Sequence, residues 1–317
     1  MISPLPRDFL ETPEGLLFAV VAAGLEQDRA LCFLRYRRLD GAWCKLTTEA
    51  ANALLVGAYP QYLHYSVARD AHLHGVPLHG VSVHYQPRSR LAQLLRDGGR
   101  SAIEDKLCRL LNLLAAAGVD LSHVGVTGSL LIGAGRPDSD FDLVIYGRAA
   151  FFQVREAVMA LLRSGRLSPL SDALWQDAFQ RRHGALDFAD FLRHERRKFN
   201  KAAFEGTKFD LTLTPETIEP VQHCRKLGRA TITARVVDAD RAFDHPACYG
   251  LDHPEVGEAL SYTHTYAGQA WPGETVEIAG LLEQGEDQRL RIVVGSSREA
   301  PGEFIRVLWA EAGNAGG

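Results

Sequence analysis

Val124-Gly125-Val126-Thr127-Gly128-Ser129, followed after ten intervening residues by Asp140-Phe141-Asp142-Leu143-Val144-Ile145-Tyr146, is the stretch whose reading decides the fold. The first run reads as a short buried strand ending in a Gly-Ser turn, and residues 143–146 read as a second apolar strand. Side chains alternate along a strand, so Asp140 and Asp142 face the same side. Like charges held that close repel each other unless a cation lies between them. The expectation is a divalent-metal site, with the amides of the Gly128-Ser129 turn offered to an anion.

A third acid follows. Lys208-Phe209-Asp210-Leu211-Thr212-Leu213 alternates and reads as another strand, with Asp210 between apolar neighbours. Two magnesium ions about 4 Å apart need shared oxygen ligands to clamp the attacking and leaving oxygens of a phosphoryl displacement. Asp140, Asp142 and Asp210 are candidate ligands, with substrate phosphates completing the shells, because Mg²⁺ rarely uses an all-protein cage.

Gly-Ser, a ten-residue gap, Asp-apolar-Asp and a later strand Asp together resemble the polymerase-beta-like nucleotidyltransferase superfamily over residues 101–215. The resemblance implies an α+β fold with a mixed sheet and a reaction in which an acceptor hydroxyl attacks the α-phosphorus of an NTP and pyrophosphate leaves. It implies two Mg²⁺ (or Mn²⁺) ions held by Asp140, Asp142 and Asp210, with Asp210 also drawing the acceptor's proton. Gly128 would allow close backbone approach and Ser129 would bind the β- and γ-phosphates. Two further runs, Arg7-Asp8-Phe9-Leu10-Glu11-Thr12 before residues 14–21 and Asp142-Leu143-Val144-Ile145-Tyr146-Gly147, resemble a group of predicted nucleotidyltransferases found mainly in archaea and some bacteria.

Residues 186–201 carry apolar and basic residues at helical spacing. Phe188, Phe191, Leu192 and Phe199 share one face, and Arg193, Arg196, Arg197, Asn200 and Lys201 the other. Cations beside a metal-triphosphate site neutralise charge that develops in the transition state. Arg193, Arg196, Arg197, Lys201 and Lys208 are therefore candidate phosphate-binding residues. Lys208 alternates onto the side of Asp210.

Around this centre the sequence predicts an N-terminal α+β module over residues 1–100. It has strands at 16–21 and 30–36 and a helix starting at Thr47-Thr48-Glu49. A catalytic domain is expected over 101–225, opening with a helix from Ser101 to Ala117 that places Ile103, Leu107, Leu110, Leu111 and Leu114 on one face. Short alternating runs at 231–237, 275–278 and 290–294, punctuated by Gly and Pro, predict a small β-barrel-like domain over 228–311. The glycine-rich end, 312–317, is expected to be disordered.

Five scattered cysteines without a Cys-x-x-Cys pair favour reduced thiols and a cytoplasmic protein. No apolar run reaches membrane-spanning length, and the first residues lack a signal-peptide core, so no membrane partner is expected. A net charge of −4 limits any nucleic-acid surface to a local patch. The histidines at 72, 74, 79 and 84 match no common zinc pattern and read as core or surface hydrogen-bonding groups. Asp244, His245 and Cys248 with His253 and His264 mix zinc-ligand types in a loop-like region and are the better zinc candidate of the two. The acceptor is expected to be a single-stranded or 3′ end of DNA or RNA, with Tyr249, Tyr262, Tyr266 and Trp271 as base-stacking candidates. The alternatives are a protein or small-molecule hydroxyl, or a catalytically silent nucleotide- or nucleic-acid-binding regulator.

Overall fold

The computed structural model describes residues 3–67, 69–181, 185–216, 224–297 and 300–309. Among them six α-helices and three β-sheets make a mixed α+β chain. The expected tail at 312–317 lies outside the described residues.

The chain opens with strands β1 (Phe9–Glu11), β2 (Leu16–Glu26), β3 (Arg29–Leu39) and β4 (Ala42–Lys45). Helix α1 (Thr48–Ala58) and strands β5 (Leu63–Ser66), β6 (Ala71–Pro77) and β7 (Val83–Tyr85) follow. They build one antiparallel sheet in the order β5-β6-β3-β2-β1-β7, with β4 beside β3. The Thr47 hydroxyl caps α1 by accepting the Ala50 N–H, satisfying one of the open donors of a helix start. Ala51 and Leu55 of that helix bury against Leu10, Phe18 and Leu34.

Next come α2 (Pro87–Asp97), α3 (Ala102–Ala116), β8 (Val124–Val126), β9 (Phe141–Tyr146) and α4 (Arg148–Arg163). Helices α5 (Asp172–Gln180) and α6 (Phe188–Lys198) precede strands β10 (Lys201–Phe204) and β11 (Thr207–Thr214). The second sheet runs β10-β11-β9-β8, with β9 and β11 parallel and both outer pairs antiparallel. The helix expected from Ser101 forms with Ser101 as its cap, and Leu107, Leu110, Leu111 and Leu114 are buried. Helix α4 packs on β9 and β11 through a face that buries Phe151, Val154 and Val158. Gly125 in β8 is obligatory for a steric reason, since a Cβ there would stand 2.6 Å from the Pro87 Cβ that starts α2.

The helix expected over 186–201 is shorter than its periodicity predicts. It ends at Lys198, Phe199 takes a left-handed φ of 52°, and Lys201 opens β10. A bulky residue in that conformation ends a helix as a glycine would, but carries no sequence signal of doing so. The expected basic face is therefore divided between a helix and a strand.

Strands β12 (Cys224–Asp238), β13 (Ala247–Asp252), β14 (Val256–Ser261), β15 (Thr275–Gly285), β16 (Leu290–Val294) and β17 (Phe304–Val307) form the third sheet. Its order is β12-β13-β14-β16-β15-β17, and β15 also pairs with β12. That extra pairing joins β12, β13, β14, β16 and β15 into a closed ring, and closure removes strand edges that would otherwise invite foreign pairing. β14 and β16 run parallel, and the other pairs are antiparallel. Val236, Tyr249, Leu251, Ala259, Ile278, Ile292 and Val294 fill the interior.

The chain divides into two compact units. One holds residues 1–67, 71–170 and 199–221, and so both the first sheet and the β10-β11-β9-β8 sheet. The other holds 68–70, 171–198 and 222–317, which places α5 and α6 with the barrel. Residues 1–100 thus share a unit with 101–170. No helix of the described residues is long and apolar enough to cross a membrane.

Candidate functional site

Parallel pairing of β9 with β11 sets Asp142 opposite Asp210 and Phe141 opposite Phe209. Phe141, Leu143, Phe209 and Leu211 are buried, so alternation turns both aspartates to the other face. Asp140 lies just before β9, two residues from Asp142 and on the same side. The Lys208 Nζ lies 3.1 Å from Asp140 Oδ2 and 3.5 Å from Asp210 Oδ2, with only 7% of its side chain exposed. Across β10, Lys201 is the register partner of Asp210, and its Nζ is 3.4 Å from Asn200 Oδ1. Asp142, Asp210 and Lys201 thus form one row across three strands, with Asp140 and Lys208 in the next.

The Gly-Ser turn is fitted against this row. Gly128 has φ 69°, a region L-residues avoid, and a Cβ there would collide with Asp142 Oδ2. The preceding Thr127 N–H donates to the Asp142 carbonyl at 2.9 Å. Residues 130–139 fold back onto Ser129. The Ala134 N–H donates to the Ser129 carbonyl, and the Ser129 Oγ donates to Ser139 Oγ at 3.3 Å. Ser139 Oγ also accepts the Arg136 N–H at 2.9 Å. The ten-residue gap is therefore a loop whose ends are tied together beside the acids.

Crowding shows in the electrostatics. Burial raises the carboxyl pKa of Asp142, the charge of Asp210 raises it further, and Arg7 and Lys208 oppose both. For Lys208 burial works against the charged form, but the carboxylates of Asp210 and Asp140 outweigh it, so its pKa is raised. Among the described residues, the buried Asp210 Oδ1 has no hydrogen-bond partner. Such a lone acceptor is costly unless a proton or a cation reaches it.

Arg7 is the residue that sequence reasoning missed. It holds φ 81°, its N–H donates to the Val20 carbonyl at 3.0 Å, and its carbonyl accepts the Thr127 hydroxyl at 2.8 Å. Those bonds fix an unfavourable backbone conformation next to the Gly-Ser turn, which places the arginine where Asp142 feels its charge. The run that begins at Arg7 gives no local sign of a role beside the acids, because the residue comes from the turn before β1, far from them in sequence.

Among the described residues no three His, Cys, Asp or Glu side chains converge closely enough to hold a metal ion unaided. The donor set still suits a hard cation. It offers carboxylate oxygens, one of them buried and unpartnered, with an ammonium standing in as the positive charge between Asp140 and Asp210. Magnesium completes its shell with water and phosphate oxygens, so two or three carboxylates suffice once those ligands arrive.

The remaining candidate cations belong to the second unit and have partners there. The guanidinium of Arg193 lies 3.9 Å over the Trp309 ring. Arg197 pairs with Glu274 at 2.7 Å and also faces Trp309. Arg196 is exposed, 3.7 Å from Asp172. Of the expected phosphate-binding residues, Lys201 and Lys208 stand in the row of acids.

The stacking expectation is corrected for two of its four residues. Tyr249 and Tyr266 are 1% and 2% exposed in the barrel core, where the Tyr249 hydroxyl accepts the Gln269 N–H at 2.8 Å. Tyr262 carries the Arg69 guanidinium 4.9 Å over its ring, and Trp271 packs near Phe243. Aromatic side chains in a small barrel serve its core first.

The histidine-rich stretch reads as expected at His74. Its Nδ1 accepts the Leu34 N–H at 2.9 Å and its Nε2 faces Asn52 Oδ1. Among the described residues the zinc candidate does not bring three His, Cys, Asp or Glu side chains together. Burial pushes the Cys248 thiol up to about 12, and His253 Nδ1 accepts the N–H groups of Glu255 and Val256.

No family model matches the chain, and no solved structure matches it. The uncharacterized protein MJ1086 of Methanocaldococcus jannaschii is 33% identical over 333 aligned positions, which take in 95% of this chain and 98% of that protein. Identity at that level along nearly the whole of both chains shows common descent, and the protein belongs to the family of MJ1086.

Proposed function

We propose that the protein is a metal-dependent nucleotidyltransferase of the polymerase-beta-like type, moving an NMP from an NTP to an acceptor hydroxyl. The observation that carries this reading is the pairing of Asp142 with Asp210 on parallel strands, with Asp140 beside them and Gly128 pressed against Asp142. Asp140, Asp142 and Asp210 would hold a pair of Mg²⁺ or Mn²⁺ ions. Bound there, such ions neutralise charge on the α-phosphate and on the leaving pyrophosphate.

The chain's own residues do the rest. Gly128 brings backbone amides close to the acids, where the triphosphate would lie. Ser129, whose hydroxyl donates to Ser139 Oγ, would hydrogen-bond the outer phosphates. Lys201 and Lys208 provide positive charge in the same rows. Asp210 would take the proton of the acceptor hydroxyl. An acceptor O–P bond forms, the bond between the α-phosphorus and its bridging oxygen breaks, and pyrophosphate leaves.

The position of Lys208 favours one other reading. An ammonium already bridging two acids is how a protein would neutralise them if it bound nucleotide without turning it over. A nucleic-acid 3′ end is the preferred acceptor, with barrel stacking reduced to Tyr262 and Trp271.

Incubation with α-labelled NTPs and Mg²⁺ or Mn²⁺, with and without single-stranded oligonucleotide, tests these readings. Extended oligonucleotide products that vanish in Asp142→Asn support a nucleic-acid acceptor. Self-labelling without oligonucleotide supports a protein acceptor. Nucleotide binding without pyrophosphate release under any condition supports the silent regulator.

A further inference from the structure

Lys208 is unusual among the cations of this unit. It is buried, it grows from the same strand as one proposed metal ligand, and its Nζ lies within 3.5 Å of carboxylate oxygens from two of them. A lysine on a flexible four-carbon stem is a point charge that moves, unlike an arginine held in a rigid fork. A divalent ion bridging Asp140 and Asp210 would need the space that the ammonium takes, because both cations seek the same oxygen atoms.

We propose that Lys208 is a resident counter-cation, which holds Asp140 and Asp210 together in the metal-free protein, competes directly with the first divalent ion, and is released by it toward the nucleotide's phosphates. This rests on the nucleotidyltransferase reading for the identity of the ligands, and it adds an order of events. Metal alone binds weakly because it must expel the ammonium. Metal together with a triphosphate binds well because the expelled ammonium gains a new anion. The buried Oδ1 of Asp210 fits this order, since one oxygen of that carboxylate is engaged by lysine and the other has no hydrogen-bond partner among the described residues. Without Lys208 the repulsion between these carboxylates would be less compensated, which favours cation uptake.

The test is Mn²⁺ binding to the full chain, read by the loss of the free Mn²⁺ electron paramagnetic resonance signal at fixed pH. Wild type is compared with Lys208→Met, Lys208→Gln and Lys208→Arg, each with and without a non-hydrolysable NTP analogue. Without nucleotide, Lys208→Met and Lys208→Gln should bind Mn²⁺ about tenfold more tightly than wild type, as expected when a nearby like charge is removed, whereas Lys208→Arg should not. With the analogue present, both neutral variants should lose that advantage. Lys208→Gln serves if Lys208→Met does not fold, and Mn²⁺ should then raise its melting temperature more than that of wild type. Equal or weaker Mn²⁺ binding by the neutral variants overturns the proposal. Tighter binding without any NTP turnover leaves the counter-cation in place and removes the enzymatic reading. Absence of Mn²⁺ binding in every variant removes both.

Discussion

Asp142 and Asp210 are register partners on neighbouring parallel strands, although sixty-eight positions separate them in sequence. Parallel pairing demands a crossover between the two strands, and the chain provides it through α4, α5 and α6. Brought into line in this way, the charge of Asp210 adds to burial in making Asp142 harder to ionise. A protein keeps such an arrangement when it serves a function.

The first consequence concerns stability. Because the fold raises the Asp142 pKa, the folded chain binds that proton more readily than the unfolded one. Its contribution to stability is present below the ordinary carboxylate pKa and is lost as pH rises through the folded value. At neutral pH the charge is a burden, so Asp142→Asn should raise the melting temperature of the metal-free protein by about 2 °C, roughly what 1 kcal/mol gives in a chain of this size. The same variant should lose turnover. A lower melting temperature, measured by calorimetry with chelator present, would contradict the crowding of these acids.

A comparison of two glycines separates strain from contact. Gly128 and Gly133 both have left-handed φ, but an added Cβ meets Asp142 at the first and nothing within 4 Å at the second. Gly133→Ala should cost about 1 kcal/mol, the usual penalty of that conformation for an L-residue. Gly128→Ala should cost more and should abolish NTP turnover. Equal unfolding midpoints in urea would show that the Gly-Ser turn is not pressed on Asp142.

In the second unit, His194 predicts a sensitivity to acid. Burial pulls its pKa down to about 3, and the neighbouring Lys198 adds to the effect. Nδ1 faces the Gln269 carbonyl at 3.2 Å and Nε2 accepts the Val307 N–H at 3.4 Å, so only the neutral ring satisfies both. The stability it contributes is complete above its ordinary pKa of 6.5 and is lost as pH falls toward about 3. By pH 5 the loss should reach about 2 kcal/mol, since each pH unit below the ordinary value is worth roughly 1.4 kcal/mol. Urea midpoints from pH 8 to 5 should fall more steeply in wild type than in His194→Gln, and parallel curves would contradict the assignment.

Tyr249 gives a test of the barrel core. Its buried hydroxyl accepts the Gln269 N–H, and it also faces the Tyr266 carbonyl. Tyr249→Phe leaves that N–H without its acceptor and should cost about 1–3 kcal/mol, the penalty for an orphaned buried donor. A midpoint unchanged within error would place the hydroxyl outside the core network.

Local signals carried much of this structure. Ser101 before an amphipathic run marked α3, Thr47 marked α1, and alternation around Asp210 marked β11, because caps and periodicity are properties of neighbouring residues. Nothing local announces that Phe199 breaks the helix, so periodicity alone predicts Lys201 on a helix where a strand stands. Arg7 escaped notice because its place beside Asp142 depends on how two sheets meet. Tyr249 and Tyr266 were misread for the same reason, since a turn-proximal aromatic shows its inward direction only once β14 and β16 pair and the barrel closes. The three acids were legible as a set because their spacing is local at Asp140 and Asp142 and their strand pattern repeats at Asp210.

The convergence of those acids on a metal-bound nucleotide is tested most directly by crystals grown with Mn²⁺ and a non-hydrolysable NTP. The anomalous difference map should show Mn²⁺ within about 2–2.6 Å of carboxylate oxygens of Asp140, Asp142 and Asp210, the usual span for hard cations on oxygen. The triphosphate should lie along the Gly128-Ser129 turn. Manganese bound elsewhere, or nucleotide bound with no ion touching Asp210, would contradict the shared site.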